Sequence, residues 1–298
     1  MVQRKAQPEW LKDIAATTET RAQSLAFSIL QAFPFLACPH CQIRPEPDAE
    51  GLYCSSCRLR FPLNGIIPVM LPRHVSFNEG AAKQVKQSAP GFFRRHLTTG
   101  VLRVDTHAKL TACCQGPILN IGGGPKRDRS EYINLNLAAM ENVDIVGDAA
   151  ALPCLSNSVS GVVCNAVLEH VPDPWRVVRE IDRILQPGGH VLIEVPFLQH
   201  YHPSPEDFHR FTIEGTRALC RRFEELEIGM AVGPTVTFIE MVESFLIMLF
   251  GHRNLMKGIT RVALWPLRFV DPMLLKLPLA HTLASGFYFI GRKPTHSG

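Results

Sequence analysis

Four thiols in two close pairs form the best-defined chemical group in the chain. Cys38-x2-Cys41 and Cys54-x2-Cys57 are separated by 12 residues. Each pair sets two sulfurs on one tight turn, and two such turns complete a tetrahedron of thiolates, the donor set of a structural Zn2+ site. Cys38, Cys41, Cys54 and Cys57 are therefore the expected metal ligands. A site closed by four thiolates has no open position for catalysis. The remaining five of the nine cysteines are scattered. An odd count argues against a disulfide framework and for a reducing, cytoplasmic setting. Arg4 and Lys5 are followed by polar residues, so no secretory signal is expected.

Histidines and their neighbours form the second group. Glu169-His170 follows an apolar run. Further on, Pro196 to Thr212 carries His200, His202, Asp207, His209 and Arg210 within eleven residues. Imidazoles titrate near neutral pH and serve as general bases. His170, His202 and His209 are accordingly the candidate catalytic groups. The structural alternatives are a turn capped by Glu169 and His170, and a proline-ordered loop in which Asp207 pairs with Arg210. A metal held by His200, His202 and His209 is a further arrangement these residues allow.

The third group is the run Ile118-Leu-Asn-Ile-Gly-Gly-Gly-Pro125, an apolar strand entering three glycines. Glycines let a backbone approach a ligand closely and adopt unusual dihedrals. After it come Gly147-Asp148-Ala149, a strand ending at Asn165, and Leu185-Gln-Pro-Gly-Gly-His190.

These groups require elements to place them. Strands are predicted at 118–121, 132–135, 144–146, 161–165, 190–195, 225–231 and 286–292, with a helix over 174–185. Strands alternating with helices imply an α/β fold with a parallel sheet and helices on both faces. Residues 8–33 show helical spacing, ended by Pro34. The expected division is a helical segment at 1–35, a cysteine module at 36–73, a partly helical linker at 74–116 and a main domain at 117–298. The module, short and rich in proline and cysteine, is expected to be held by metal more than by a core.

The ordered set from 117 to 215 resembles the class I S-adenosylmethionine-dependent methyltransferases of the small-molecule, ubiquinone-biosynthesis-like type. The resemblance implies a Rossmann-like, seven-stranded sheet. It also implies a cofactor site: Gly122, Gly123 and Gly124 along the amino-acid and ribose end, Asp148 at the adenine amino group with Ala149 against the ring, and Asn165 near the methionine part. Three positions depart from the family pattern. Asn120 and Asn136 stand where acids are common, and Lys126 where a further glycine is. Asn136 replaces a carboxylate that holds both ribose hydroxyls with a single neutral acceptor and a donor. A Glu-x-x-Glu-His run that binds a divalent metal in ubiquinone-type relatives has Ala166 at its first position here. Residues 36–72, with Phe61-Pro-Leu-Asn-Gly-Ile-Ile-Pro-Val-Met-Leu71, resemble the small zinc-ribbon proteins that activate RNA and protein methyltransferases.

The 298 residues carry a formal charge of only +4 and are 46% hydrophobic. A large core is affordable, and bulk charge does not point to nucleic acid. Residues 236–284 are rich in Leu, Ile, Val, Phe and Met, and Asp271 is the only acid from 251 to 284. No run reaches the roughly 20 apolar residues of a spanning helix. This insertion reads either as a helical lid or as an interfacial surface that meets a membrane or a lipophilic acceptor. The function expected is methyl transfer to an oxygen of a small or lipophilic molecule. Two alternatives are an RNA methyltransferase that uses the ribbon for recognition, and a non-catalytic scaffold with a degenerate cofactor pocket.

Overall fold

The computed structural model describes residues 18–77, 105–125, 127–203 and 206–295. Helix α1 (Thr18–Ala32) buries Ala26, Ile29 and Leu30, three- and four-residue spacings that make one apolar stripe. The N-terminal part of the predicted helix, and Lys126, lie outside the described residues. Four short strands follow: β1 (Glu46–Asp48), β2 (Gly51–Cys54), β3 (Leu59–Asn64) and β4 (Ile67–Met70). Helix α2 (Thr106–Cys113) is started by Asp105, whose side chain accepts the Ala108 N–H.

The main domain then runs β5 (Ile118–Ile121), β6 (Tyr132–Asn136), β7 (Ile145–Gly147), β8 (Val159–Asn165), α3 (Pro174–Ile184), β9 (Leu185–Pro196), α4 (Ile213–Leu219) and β10 (Glu224–Met230). An insertion follows, with α5 (Pro234–Phe250), α6 (Arg253–Leu264) and α7 (Asp271–Leu274), before the last strand, β11 (Gly286–Arg292).

One mixed sheet unites these strands in the order β1-β2-β3-β4-β7-β6-β5-β8-β9-β11-β10. Seven strands are expected from the sequence, and the sheet has eleven. The extra four belong to the cysteine module. Its strand β4 pairs in parallel with β7, Val69 opposite Val146 and Met70 opposite Gly147. Pairing covers an edge that would otherwise present free backbone groups. Pro47, Pro62 and Pro68 interrupt the apolar alternation of this region and hide its strands from a pattern reading. The module also shares the main core. Leu36, Cys38, Leu52, Cys54, Phe61 and Met70 are buried in the same cluster as Leu119, Leu135 and Val162. Apolar packing therefore contributes to holding the module.

Alternate strand residues serve two separate cores, as the period of two requires. Leu119, Ile121, Val162, Cys164, Val191 and Ile193 join the cluster that also holds Val177, Val178, Ile181 and Ile184 of α3. Ile118, Val163, Leu192, Tyr288 and Ile290 face the opposite cluster, with Leu110 of α2. Helices thus cover both faces. The strand ends between them are left to build a site.

Candidate active site and candidate metal centre

Strands β5, β6, β7, β8 and β9 are parallel, and chain order reverses between the neighbours β5 and β8. Ligands of open α/β sheets bind beyond the carboxyl ends of the strands at such a reversal. The glycine loop occupies this position. Gly122 has φ +76°, and a Cβ there would stand 2.3 Å from Val167 Cγ2. A Cβ on Gly123 would stand 2.7 Å from Asn134 Cγ, whereas one on Gly124 would meet nothing within 4 Å among the described residues. The loop is therefore pressed onto its support at two glycines and open at the third.

Asn120 lies beneath this loop. It is 3% exposed, and its Nδ2 donates to Asn134 Oδ1 at 3.0 Å. Asn134 in turn donates to the Asn142 carbonyl at 2.9 Å. Asn120 thus carries the loop from below. Asn136, at the end of β6, donates to the Gly123 carbonyl at 3.1 Å and accepts the Ala138 N–H at 3.1 Å. The second lone pair of its Oδ1 is the acceptor it can offer a ribose. Asp148, beyond β7, accepts the Ala150 N–H at 2.8 Å through one oxygen. Its other oxygen makes no hydrogen bond among the described residues. Ala149 beside it is half-buried. An open glycine, an amide oxygen and a carboxylate along adjacent strand ends fit S-adenosylmethionine.

Beyond β8, Asn165 is half-buried and Ala166 takes a left-handed φ of 53°. This conformation costs a non-glycine residue about 1–2 kcal/mol. A 3-10 turn, Leu168–His170, then carries Glu169 into the interior. Glu169 is fully buried, and neither carboxylate oxygen has a hydrogen-bond partner among the described residues. Burial pushes its carboxyl above the ordinary range. Two imidazoles approach the same oxygen, Glu169 Oε1: His170 Nε2 at 3.8 Å and His202 Nε2 at 3.7 Å.

Hydrogen bonding sets the tautomer of both rings. His170 Nδ1 lies 2.6 Å from the Glu206 carbonyl, and His202 Nδ1 lies 2.8 Å from the His200 carbonyl. A carbonyl oxygen only accepts, so each Nδ1 carries a hydrogen and each ring turns its Nε2 toward Glu169. Three electron-pair donors converge where one proton or one cation satisfies them. The ligand atoms of Glu169, His170 and His202 lie within 4.8 Å of one another.

The loop after β9 is built to present His202. Asp207 accepts the His202 backbone N–H at 2.8 Å and takes Arg210 on both oxygens, at 2.6 Å through Nη2. The Arg210 guanidinium holds the Asp207 carboxyl well below the usual range. Arg210 also ties down the Gln199 carbonyl at 3.1 Å. Burial and the neighbouring Lys257 lower the basicity of His200.

The sequence groups His209 with His170 and His202, and the structure separates it from them. Its Nε2 lies 3.3 Å from the Pro172 carbonyl, and its ring stands edge-on to Trp175 at the start of α3, with centroids 6.4 Å apart. The eleven-residue cluster splits because the Asp207–Arg210 pair turns the chain between His202 and His209. Glu169 takes the place left open. Its signal in the sequence is an acid set between Leu168 and Val171 beside a histidine.

The four cysteines meet, with sulfurs within 4.8 Å of one another and Cys41 Sγ 3.4 Å from Cys54 Sγ. A tetrahedron with metal–sulfur bonds of about 2.3 Å has sulfur edges of about 3.8 Å, so the set fits Zn2+. The residues after each pair, Gln42 and Arg58, have left-handed φ of 62° and 54°. The two turns therefore have the same form. Against burial, which raises it, the Ile43 backbone N–H and the neighbouring cysteine side chains draw the Cys41 thiol down to about 7, and burial pushes Cys38 up to about 12.

Residues 126–193 match the family described as a methyltransferase domain. An uncharacterized methyltransferase of Mycobacterium sp. (strain KMS) is 30% identical over 89 residues, 24% of this chain and 35% of the relative. A demethylmenaquinone methyltransferase of Staphylococcus aureus (strain JH9) is 45% identical over 56 residues, 18% of this chain and 23% of the relative. The chain therefore spans 35% and 23% of the length of these two relatives. Among solved structures, the [4+2]-cyclase SpnF has a TM-score of 0.42 at 17% identity, covering 63% of this chain and 78% of that one. The complex of the Haloferax volcanii Trm112 methyltransferase activator with a putative methyltransferase gives 0.40 at 13% identity, covering 74% of this chain and 91% of that one. Residues 126–193 are thus similar to a methyltransferase domain, and they lie within an α/β fold with a mixed sheet.

Proposed function

We propose that the chain is an S-adenosylmethionine-dependent methyltransferase that acts on an oxygen of a small, lipophilic acceptor. The convergence of His170 Nε2 and His202 Nε2 on buried Glu169, beside the glycine loop, carries this reading. Gly122, Gly123 and Gly124 hold the amino-acid end of the cofactor, Asn136 the ribose, Asp148 and Ala149 the adenine, and Asn165 lies toward the methionine part. When bound, S-adenosylmethionine supplies an electrophilic methyl group on a sulfonium. His202 is the base: its side chain is 30% exposed, against 14% for His170, so an acceptor hydroxyl reaches Nε2 of His202 first. Nε2 takes the hydroxyl proton. The imidazolium is then held between Glu169 at 3.7 Å and Asp207 at 3.7 Å, which stabilise its charge. His170 packs edge-on against the base, with ring centroids 5.3 Å apart, and orients it.

A small-molecule acceptor is supported by the name of the staphylococcal relative. A lipophilic one is supported by the apolar insertion beside the histidine loop. The four thiolates, in this reading, hold a structural zinc ion that rigidifies the module whose strand β4 supports β7.

Calorimetry with S-adenosylhomocysteine tests the cofactor site: one molecule bound per chain is expected, and no binding overturns the reading. His202→Ala should leave that affinity unchanged and lower kcat on an accepted substrate by about a hundredfold. An unchanged rate would remove His202 from the role of base.

A further inference from the structure

The insertion between β10 and β11 is packed inside out. A helix on a water-soluble protein buries its apolar stripe and exposes its polar one. In α5 the buried positions include Thr235, Thr237 and Glu243, while Phe238, Met241, Phe245, Met248 and Leu249 face outward. The outward set recurs at three- and four-residue spacing, a single continuous stripe. Met248, on that stripe, is 70% exposed. Helix α6 repeats the inversion. Thr260 is buried, and Leu255, Ile259 and Val262 are exposed. Its Arg261 and Lys257 turn inward onto Glu243, at 2.8 Å and 3.0 Å.

Charge follows the same division. Asp271 is buried, at 1% exposure, and accepts the Thr235 N–H at 3.0 Å. Glu243 is 4% exposed. Among the described side chains from 234 to 283, the formal charges that remain exposed are Arg253 and Lys276, both basic. The apolar face continues through Trp265 to Met273 and Leu279, the last two 71% and 70% exposed. No described helix is long and apolar enough to cross a membrane.

We propose that this outer face docks on an anionic lipid bilayer, with α5 and α6 lying in the interface and Arg253 and Lys276 at the headgroups. An apolar medium rewards an outward apolar stripe, and negative headgroups match the exposed basic charges. A second copy of the chain would set like charges against each other. The inner side of the insertion adjoins the histidine loop, since Lys257 and Glu243 act electrostatically on His200. An acceptor dissolved in the bilayer would therefore arrive beside His202. The docking itself does not rest on methyl transfer, and its test reads binding alone.

Co-sedimentation of the full chain with vesicles of 30:70 phosphatidylglycerol and phosphatidylcholine should show binding that weakens as salt rises. Pure phosphatidylcholine should bind it less, by about fivefold for each basic residue engaged. The double variant Phe245→Glu/Leu249→Glu should lose at least about tenfold in binding. Circular dichroism and unchanged S-adenosylhomocysteine affinity would show that it is folded. Arg253→Glu/Lys276→Glu should lose the preference for anionic vesicles while keeping the apolar face. A folded wild-type chain that binds neither vesicle, or binds both equally at all salt concentrations, overturns the proposal. So does a stable dimer in light scattering that Phe245→Glu/Leu249→Glu dissolves.

Discussion

The two margins of the molecule are attached to the central strands in opposite ways. At one margin the cysteine module joins through backbone pairing, β4 on β7, and through apolar side chains that merge with the main core. At the other, α5 and α6 are tied by a Glu243–Lys257–Arg261 cluster, their buried positions include Thr235, Thr237, Ile239 and Thr260, and most of their large apolar side chains face out. Both margins are rich in apolar residues. Their number does not say which side is inside. The position of the few polar residues does, because a buried charge needs a partner and therefore sets the orientation of the helix that carries it.

The largest test of this contrast is at the cysteines. Cys54→Ser should abolish bound zinc, read by elemental analysis, and cost about 4 kcal/mol or more in thermal unfolding. An unchanged transition would mean that pairing and shared core hold that margin without metal. At the opposite margin, Glu243→Ala leaves Lys257 and Arg261, 18% and 16% exposed, without their shared carboxylate. The expected loss is on the order of 3 kcal/mol in denaturant unfolding. A neutral result would show that the inner polar face does not hold the insertion.

Between the margins, the Asp207–Arg210 clamp gives a pH-dependent control. The carboxyl is held below its ordinary value of 3.8 in the folded state. Its contribution is therefore fully present above that value and is lost as pH falls below it toward the lower folded value. Asp207→Asn should lower stability near neutral pH by about 2 kcal/mol and flatten the acid limb of the stability curve below about pH 4. An acid limb identical to the wild type would assign that limb to other carboxylates. The smallest effect is expected at Gly124, where a Cβ meets nothing within 4 Å among the described residues. Gly124→Ala should change stability by less than about 0.5 kcal/mol, yet weaken S-adenosylhomocysteine binding in calorimetry. Equal affinity would place the cofactor away from that glycine.

Much of the central sheet is legible in the sequence. Ile118–Ile121 and Gly286–Arg292 are strands with the predicted bounds, and the helix expected over 174–185 is Pro174–Ile184. Apolar runs bounded by glycine or proline are local signals, and they read locally. The strands of the cysteine module are not legible, since prolines break their pattern, and the pairing of its last strand with β7 joins segments far apart in the chain. The pairing of Glu169 with His202 is equally hidden: they lie 33 positions apart, and the loop that carries His202 is held by the Asp207–Arg210 salt bridge.

The sequence by itself determined the chemical groups and the strand–helix order: four thiols at knuckle spacing, three glycines after a strand, and histidines beyond two further strands. These follow from residue type and spacing, which act over a few residues. The tertiary structure decided which of those groups meet. It set Glu169 between His170 and His202 and sent His209 to α3. It placed Asn120 beneath the glycine loop and turned the apolar stripe of the insertion outward. Each of these depends on contacts between distant segments, where burial of charge, pairing of backbone and shape of packing act together.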